Sequence, residues 1–300
     1  MTIVAVSETR DCLRRFLFEQ FSVRGQLVHL DAAWQAVLER YDYPPVVRSL
    51  LGEAMAATVL LAATIKFDGV LSLQLESDGP LKFLVVQCTN TMNLRGLARW
   101  DGEVPKGSLA DVAPGGRMTI AVETCTDNSR YQGIVPIEDD SLSRSIQAYF
   151  ETSEQLPTRL WLAANSSAAV GLLLQRLPDK KGEEREYDDN WPRVQLLADT
   201  VKDEELLDLS QEAVLRRLFA EEDVRLFAQT PVAFRCSCTK DRVESVLKML
   251  GAEDIKQLAE QQGDVQVRCQ FCNQAYTFDT VDVESLFTTE AVAPASTRKH

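Results

Sequence analysis

Along this chain the apolar positions switch repeatedly between a period of two and a period near 3.6, which predicts interleaved strands and helices. Val23–Leu30 reads as a strand, and Asp31 is placed to cap the helix that follows. Pro44 and Pro45 open a long apolar helix ending near Ile65. Asp68-Gly69 turns the chain into a strand at 70–76, Asp78-Gly79-Pro80 turns it again, and Leu81–Thr89 returns. Further strands are predicted at 95–100, 118–126, 131–135, 160–165 and 170–177, with a helix at 142–150 among them. The fold class is α+β, with an N-terminal mixed α/β core domain over residues 1–178.

The pattern changes at Pro178. Residues 179–231 carry 15 acidic and 8 basic side chains, and 179–190 has almost no apolar positions and reads as a solvated loop. Val194, Leu197 and Val201 then recur at helical spacing, as do Val214, Leu215, Leu218 and Phe219 behind Ser210, a suitable cap. Both helices are amphipathic, with modest apolar faces that must rest on another surface. This segment is an acidic helical linker. After Pro231, residues 232–288 form a small α+β module. Asp241 and Glu244 have capping-box spacing for a helix bearing Val243, Val246, Leu247 and Leu250 and stopping at Gly251. A second short helix runs to Gly263, strands at 265–269 and Ala275–Phe278 flank a turn at Gln270-Phe271, and a last helix covers about 282–287. The Ala/Pro/Ser/Thr-rich residues 289–300 read as a disordered tail.

Bulk properties narrow the partners. An apolar content of 45% over 300 residues can build a real core. No positively charged start with a following apolar run marks a signal peptide. The most apolar run, residues 54–65, spans 12 residues, which is short for a bilayer and reads as a buried helix. A net charge of −13 argues against nucleic acid, whose phosphates demand an electropositive surface, and disfavours anionic membranes. Seven cysteines without secretory targeting suggest a reducing compartment, the cytosol, where thiols serve as metal ligands or redox groups.

Four of those cysteines fall into two pairs, Cys236-x-Cys238 and, thirty residues on, Cys269-x-x-Cys272. Zinc takes four soft ligands in a tetrahedron. In extended chain, residues i and i+2 point the same way, so Cys236 and Cys238 can aim at one point. A tight turn, helped by Asn273 in a left-handed conformation, can fold Cys269 and Cys272 inward. One zinc ion on these four residues is the expected cofactor. Buried, inert cysteines would not cluster in pairs. A thioredoxin-type exchanger would need Cys269-x-x-Cys272 to open a helix, whereas strand residues 275–278 follow it. Two readings of the zinc stay open, a structural clip and a redox-sensitive one. Both pairs are close enough for local disulfides, and a Cys236–Cys238 ring is near the geometric limit and readily reduced. On spacing alone the structural clip stands ahead, since closed four-thiolate sites are mostly structural.

Taken together, the two cysteine pairs, the acidic helical linker and the α+β domain resemble the family of the 33-kilodalton heat shock protein, bacterial redox-regulated holdase chaperones. The likeness covers nearly the whole chain. It includes Gly52-Glu53-Ala54-Met55-Ala56-Ala57, residues 149–158 (YFETSEQLPT) and residues 171–178 (GLLLQRLP). Val170 stands where the family pattern has a second glycine, and the tail after Phe287 departs from it. The resemblance implies a non-enzymatic, cytoplasmic protein that is zinc-bound and inactive when reduced. Hypochlorous acid, or peroxide with heat, then converts the ligands to Cys236–Cys238 and Cys269–Cys272 disulfides and expels zinc. The C-terminal module unfolds, the linker loses its docking surface, and the protein dimerises and holds unfolding clients without ATP. Reduction hands those clients to ATP-dependent chaperones. Undocking would bare Val194, Leu197, Val201, Leu215, Leu218 and Phe219, the expected client-binding residues.

The remaining chemistry is sparse. His29 and His300 are the only histidines, so a Ser–His–Asp hydrolase is not expected, and His29 reads as a partly buried strand residue. Gly115-Gly116 reads as a hairpin turn, because no Gly-Lys-Ser/Thr follows. Cys12, Cys88 and Cys125 lack partner spacing, and the last two read as core or face residues. Trp34, Trp100, Trp161 and Trp191 are scattered and read as packing. A zinc-ribbon adaptor in transcription or translation is the alternative, but Arg235, Lys240, Arg242 and Arg268 are few and dispersed. A catalytic zinc would need an open coordination position, and four thiolates close the shell.

Overall fold

A helix that is apolar all round must be enclosed, and the one opened by Pro45 is. In the computed structural model, which describes residues 11–125, 129–137, 140–178 and 189–288, this helix runs over Pro45–Thr64 with most of its side chains buried. It is longer than its most apolar run, and by length and composition alone it could cross a membrane. Its apolarity is explained by two sheets that cover it. Strands β1 (Cys12–Phe18) and β2 (Val23–Leu30) and helix α1 (Ala32–Leu38) precede it, making it α2. Strands β3 (Gly69–Glu76), β4 (Leu81–Thr89) and β5 (Asn93–Trp100), helix α3 (Leu109–Val112) and strands β6 (Arg117–Thr124) and β7 (Arg130–Pro136) follow. Helix α4 (Leu142–Tyr149) runs into a π turn at Phe150–Glu154, then β8 (Thr158–Ala164) and β9 (Ala169–Arg176).

The segment expected to be a two-helix linker contains three helices, α5 (Asn190–Ala198), α6 (Asp203–Asp208) and α7 (Gln211–Leu218), and then short strands β10 (Val224–Leu226), β11 (Thr230–Pro231) and β12 (Ala233–Phe234). One sheet has the order β10-β1-β2-β9-β8, with β11 also on β1; the other has β12-β5-β4-β3-β6-β7. Leu13, Val28, Leu160 and Leu173 of the first sheet and Leu71, Leu73, Leu84 and Val86 of the second close on Leu51, Met55 and Val59 of α2. Gly52 permits this approach, since a Cβ there would lie 2.5 Å from that of Ala164.

The first sheet buries both faces. Period-two alternation sends Leu173 toward α2 but Leu172 and Leu174 to the opposite face, where Phe16, Phe18 and Leu27 join them. Trp191, Val194, Leu206, Val214, Leu215, Leu218 and Phe219 cover that face. The Phe219 ring meets Phe18 edge-on at 5.0 Å. Polar contacts fix the seam: Gln211 Nε2 donates to the carbonyls of Cys12 and Leu27, Trp161 Nε1 donates to Asp199, and Arg14 pairs with Glu212. The guanidinium of Arg14 holds the Glu212 carboxyl below its ordinary pKa.

The chain divides into two compact units, Met1–Arg235 and Cys236–His300. In the second, α8 (Lys240–Leu250), α9 (Ala252–Gln262), the hairpin of β13 (Val265–Arg268) and β14 (Ala275–Phe278), and α10 (Thr280–Thr288) enclose a small core. Its buried members are Val243, Leu247, Ile255, Ala259, Val265, Phe278, Val283 and Leu286.

Several expectations need correction. Asp31 precedes α1 without capping it; the Asp11 carboxylate accepts from the backbone N–H groups of Asp31, Ala32 and Ala33 instead. Thr239, not Asp241, caps α8, accepting from the N–H of Arg242. Val246 and Leu250 of that helix face outward, 49% and 59% exposed. Gly115-Gly116 links α3 to β6 and is not a hairpin turn. Strand β1 has no counterpart in the sequence reading. Residues 179–188 and the tail from 289 lie outside the described residues.

Asp11 bonds three N–H groups of a helix start far from it in sequence, so Asp11→Ala is expected to destabilise the core by about 1 kcal/mol. Thermal unfolding should show this loss, and Asp11→Asn should restore part of it.

Candidate metal centre

Cys236 and Cys238 lie on extended chain between β12 and α8, and Cys269 and Cys272 flank the tip of the β13–β14 hairpin. The hairpin tip is a tight knuckle. Cys269 N–H donates to the Gln274 carbonyl, Asn273 N–H donates to the Cys269 carbonyl, and Asn273 takes a φ of 59°. Backbone N–H groups of Phe271 and Cys272 point at the Cys269 sulfur, and that of Gln274 points at the Cys272 sulfur. Such bonds favour thiolate over thiol. On the other segment of the site, Arg242 donates to the carbonyl (2.8 Å) and Oγ (2.7 Å) of Ser237, fixing the residue between the first two cysteines.

All four Sγ atoms fall within 4.8 Å of one another. Cys236 lies 3.6 Å from Cys269, and Cys238 lies 3.3 Å from Cys272. A tetrahedron with metal–sulfur bonds of about 2.3 Å has edges of roughly 3.8 Å, so the four sulfurs already approximate that figure. The residues fit a metal ion. Each pair contributes one sulfur to each short edge, so the group ties two chain segments together.

Electrostatics alone oppose this convergence. Burial is the first cause pushing the Cys269 and Cys272 thiols above their usual range, and neighbouring sulfurs add to it. A bound cation reverses that balance by favouring thiolates. Tyr276 Oη donates to Cys238 Sγ at 3.2 Å, and this bond is the main reason its pKa is pushed up to about 12. Tyr276 therefore keeps its proton at neutral pH and orients one ligand. The sequence reading missed it, although its place in the strand leaving the second pair is a usable signal.

The other cysteines stand apart. Cys88 is buried and its thiol is pushed up to about 12 by burial, Cys125 is exposed just after β6, and Cys12 is buried on β1 with its sulfur 3.6 Å from Gln211 Oε1. His29 is a half-buried strand residue. The expected client-binding residues are gathered on one face: Val194, Leu215, Leu218 and Phe219 are buried, and Leu197 and Val201 are partly so.

An α+β body with a covered hydrophobic sheet face, followed by a small four-cysteine module, defines a modular protein with a metal-capable appendage. The family model described as Hsp33 protein matches residues 11–279, and the chain belongs to that family. The chain is 51% identical to the 33 kDa chaperonin of Nitrosococcus oceani over 97% of this chain and 99% of that protein. It is 45% identical to the 33 kDa chaperonin of Methylobacillus flagellatus, again over 97% and 99%. The crystal structure of the 33 kDa chaperonin from Thermotoga maritima superposes with a TM-score of 0.79 at 19% identity, covering 93% of this chain and 99% of that one. Family membership supports a chaperone role, and with it the binding of unfolded polypeptides.

Tyr276→Phe should weaken metal retention about 10–100-fold in competition with a chelator, the usual effect of losing a partner to a ligand. Raised thiol pKa values also set a sign: protons compete with the metal, so retention should weaken as pH falls. The same competition run at acid and at alkaline pH checks it.

Proposed function

We propose that this protein is a redox-regulated, ATP-independent holdase whose four cysteines, Cys236, Cys238, Cys269 and Cys272, hold one zinc ion in the resting state. The observation that carries the proposal is the meeting of four sulfurs in a unit whose core has, among the described residues, only eight buried apolar side chains. Below about 70–80 residues, a single core rarely supplies more than ~3–5 kcal/mol. Structural zinc is worth about 10–16 kcal/mol in small zinc peptides, so loss of the ligand set would remove most of what holds the module.

Four thiolates and two molecules of hypochlorous acid, with two protons, would give two disulfides, two chloride ions and two waters. The disulfides are Cys236–Cys238 and Cys269–Cys272. Oxidation then leaves the metal without ligands, the module unfolds, and the linker helices detach. Four points support the linker's part. Its helices are short, so their stability rests on packing and not on propensity. Their acidic surfaces keep the opened protein soluble. Their apolar residues and the face under them, Phe16, Phe18, Leu27, Leu172 and Leu174, are a large hydrophobic surface held shut by docking. The chain runs from the linker helices through the short strands β10, β11 and β12 of the core sheets and enters the module at Cys236. Clients bind these two surfaces, activated copies dimerise, and reduction passes clients to ATP-dependent chaperones. Bacterial relatives support a cytoplasmic setting.

Leu215→Ser with Leu218→Ser should lower the capacity of the oxidised protein to suppress aggregation of a heat-unfolding client. The same changes remove buried apolar area worth about 1.5–3 kcal/mol per side chain, so linker amides should exchange faster in the reduced state. Unchanged holdase activity in the oxidised double variant would exclude the linker as a client surface.

A further inference from the structure

Between the last linker helix and Cys236 the chain passes along both sheets of the larger unit. Strand β10 pairs with Phe16–Phe18 of β1, and β11 pairs with Cys12 and Leu13 of the same strand. Strand β12 then pairs in parallel with Asn93 and Leu94 of β5, in the second sheet. One stretch of chain thus starts at the linker, crosses from sheet to sheet, and ends where the four-cysteine unit begins.

The end on the second sheet is held by little. Strand β12 has two residues, below the roughly 3–10 usual for a strand. Ala233 N–H donates to the Met92 carbonyl at 3.1 Å, and Arg235 N–H donates to the Leu94 carbonyl at 3.0 Å. Val232 is buried, and the Phe234 side chain is half-buried against the core around α2. The guanidinium of Arg40, just after α1, lies over the Phe234 ring at 6.0 Å. Arg40 Nε is buried with no hydrogen-bond partner, a desolvation cost that a ring at the outer limit of such contacts offsets only in part. Strands β10 and β11 are three and two residues long, so no part of the strap is a full strand.

A pairing this short depends on order at both of its ends. Strand β11 supplies it on one side, and on the other the module supplies it, starting directly after Arg235. Once the module unfolds, β12 becomes the end of the ordered chain, and chain ends fray. We propose that β12 is a latch: Phe234 under Arg40 keeps the chain on β5 while the module is folded, and its release on unfolding lets β11, β10 and then helices α7 to α5 leave the first sheet in turn. The latch rests on the redox reading above and names the contact through which metal loss reaches the linker. Without it, module and linker would open independently, because a coupling between two elements needs a contact whose energy depends on both.

Hydrogen exchange on the reduced full chain tests this, with zinc bound and after its removal by a chelator. In the wild type, removal should strip protection from the Ala233 and Arg235 amides and speed exchange of the α7 amides at least about tenfold, with α2 still protected. Phe234→Ala removes the ring, and Ala233→Pro, at an exposed position, removes the donor to Met92. In either variant the α7 amides should be fast already with zinc bound and change less than about twofold on its removal, because the coupling is gone. Ala233 and Arg235 amides that stay protected in the zinc-free wild type overturn the proposal. So does opening of β12 with no response in α7, and so does an α7 response of wild-type size in a variant whose α2 amides are natively protected. The wild-type arm decides even where a variant loses α2 protection. No client enters these readouts, so a latch that opens as expected in a protein that holds no clients when oxidised would sink the holdase reading and leave the latch standing.

Discussion

The convergence of four sulfurs on one point is the constraint on which the C-terminal unit depends. Its helices and hairpin bury only a handful of apolar side chains, and two outward residues of α8, Val246 and Leu250, contribute nothing to that core. Bringing four thiols together costs energy through burial and mutual repulsion, as the raised pKa values of Cys269 and Cys272 reflect. A bound cation would favour thiolates in the same cluster and offset that cost. The fold of this unit and the charge state of its cysteines are therefore one question.

The larger unit poses the complementary case. Its first sheet is buried on both faces, one by α2 and the other by the helices α5 to α7. The α2 side belongs to the larger hydrophobic cluster. The other side is closed by three short helices anchored by a few polar contacts, among them Gln211 and the Arg14–Glu212 pair. Such an arrangement keeps a hydrophobic surface behind short helices whose stability rests on packing, which suits the proposed cycle. The proposed cycle couples the two units through the chain that joins them.

Much of this was legible in the residues, for identifiable reasons. Two-residue turns and alternating apolar positions placed most strands of the core to within a few residues, because one buried face imposes period two. The cysteine spacing located the four-sulfur cluster, since tetrahedral geometry leaves few ways to fold two close pairs onto one point. Three signals were weaker. Strand β1 hides because Arg14 and Arg15 interrupt its alternation. Caps failed where the acceptor lies outside the helix's own start, as with Asp11, or where Thr239 competes with a better-looking box. The double burial of β9 shows as a continuous run, Ala169 to Leu174, and that run could have announced that the linker lies on its outer face.

The central claim is that the four-cysteine cluster holds the resting state closed. Its most direct measurement treats the reduced, zinc-loaded protein with hypochlorous acid and follows metal release together with binding of a thermally unfolded client. Release of one zinc per chain, in step with a gain in client binding and reversed by reductant, is the predicted result. Reduced protein that carries no tightly held zinc, or zinc that leaves with no gain in client binding, would contradict it.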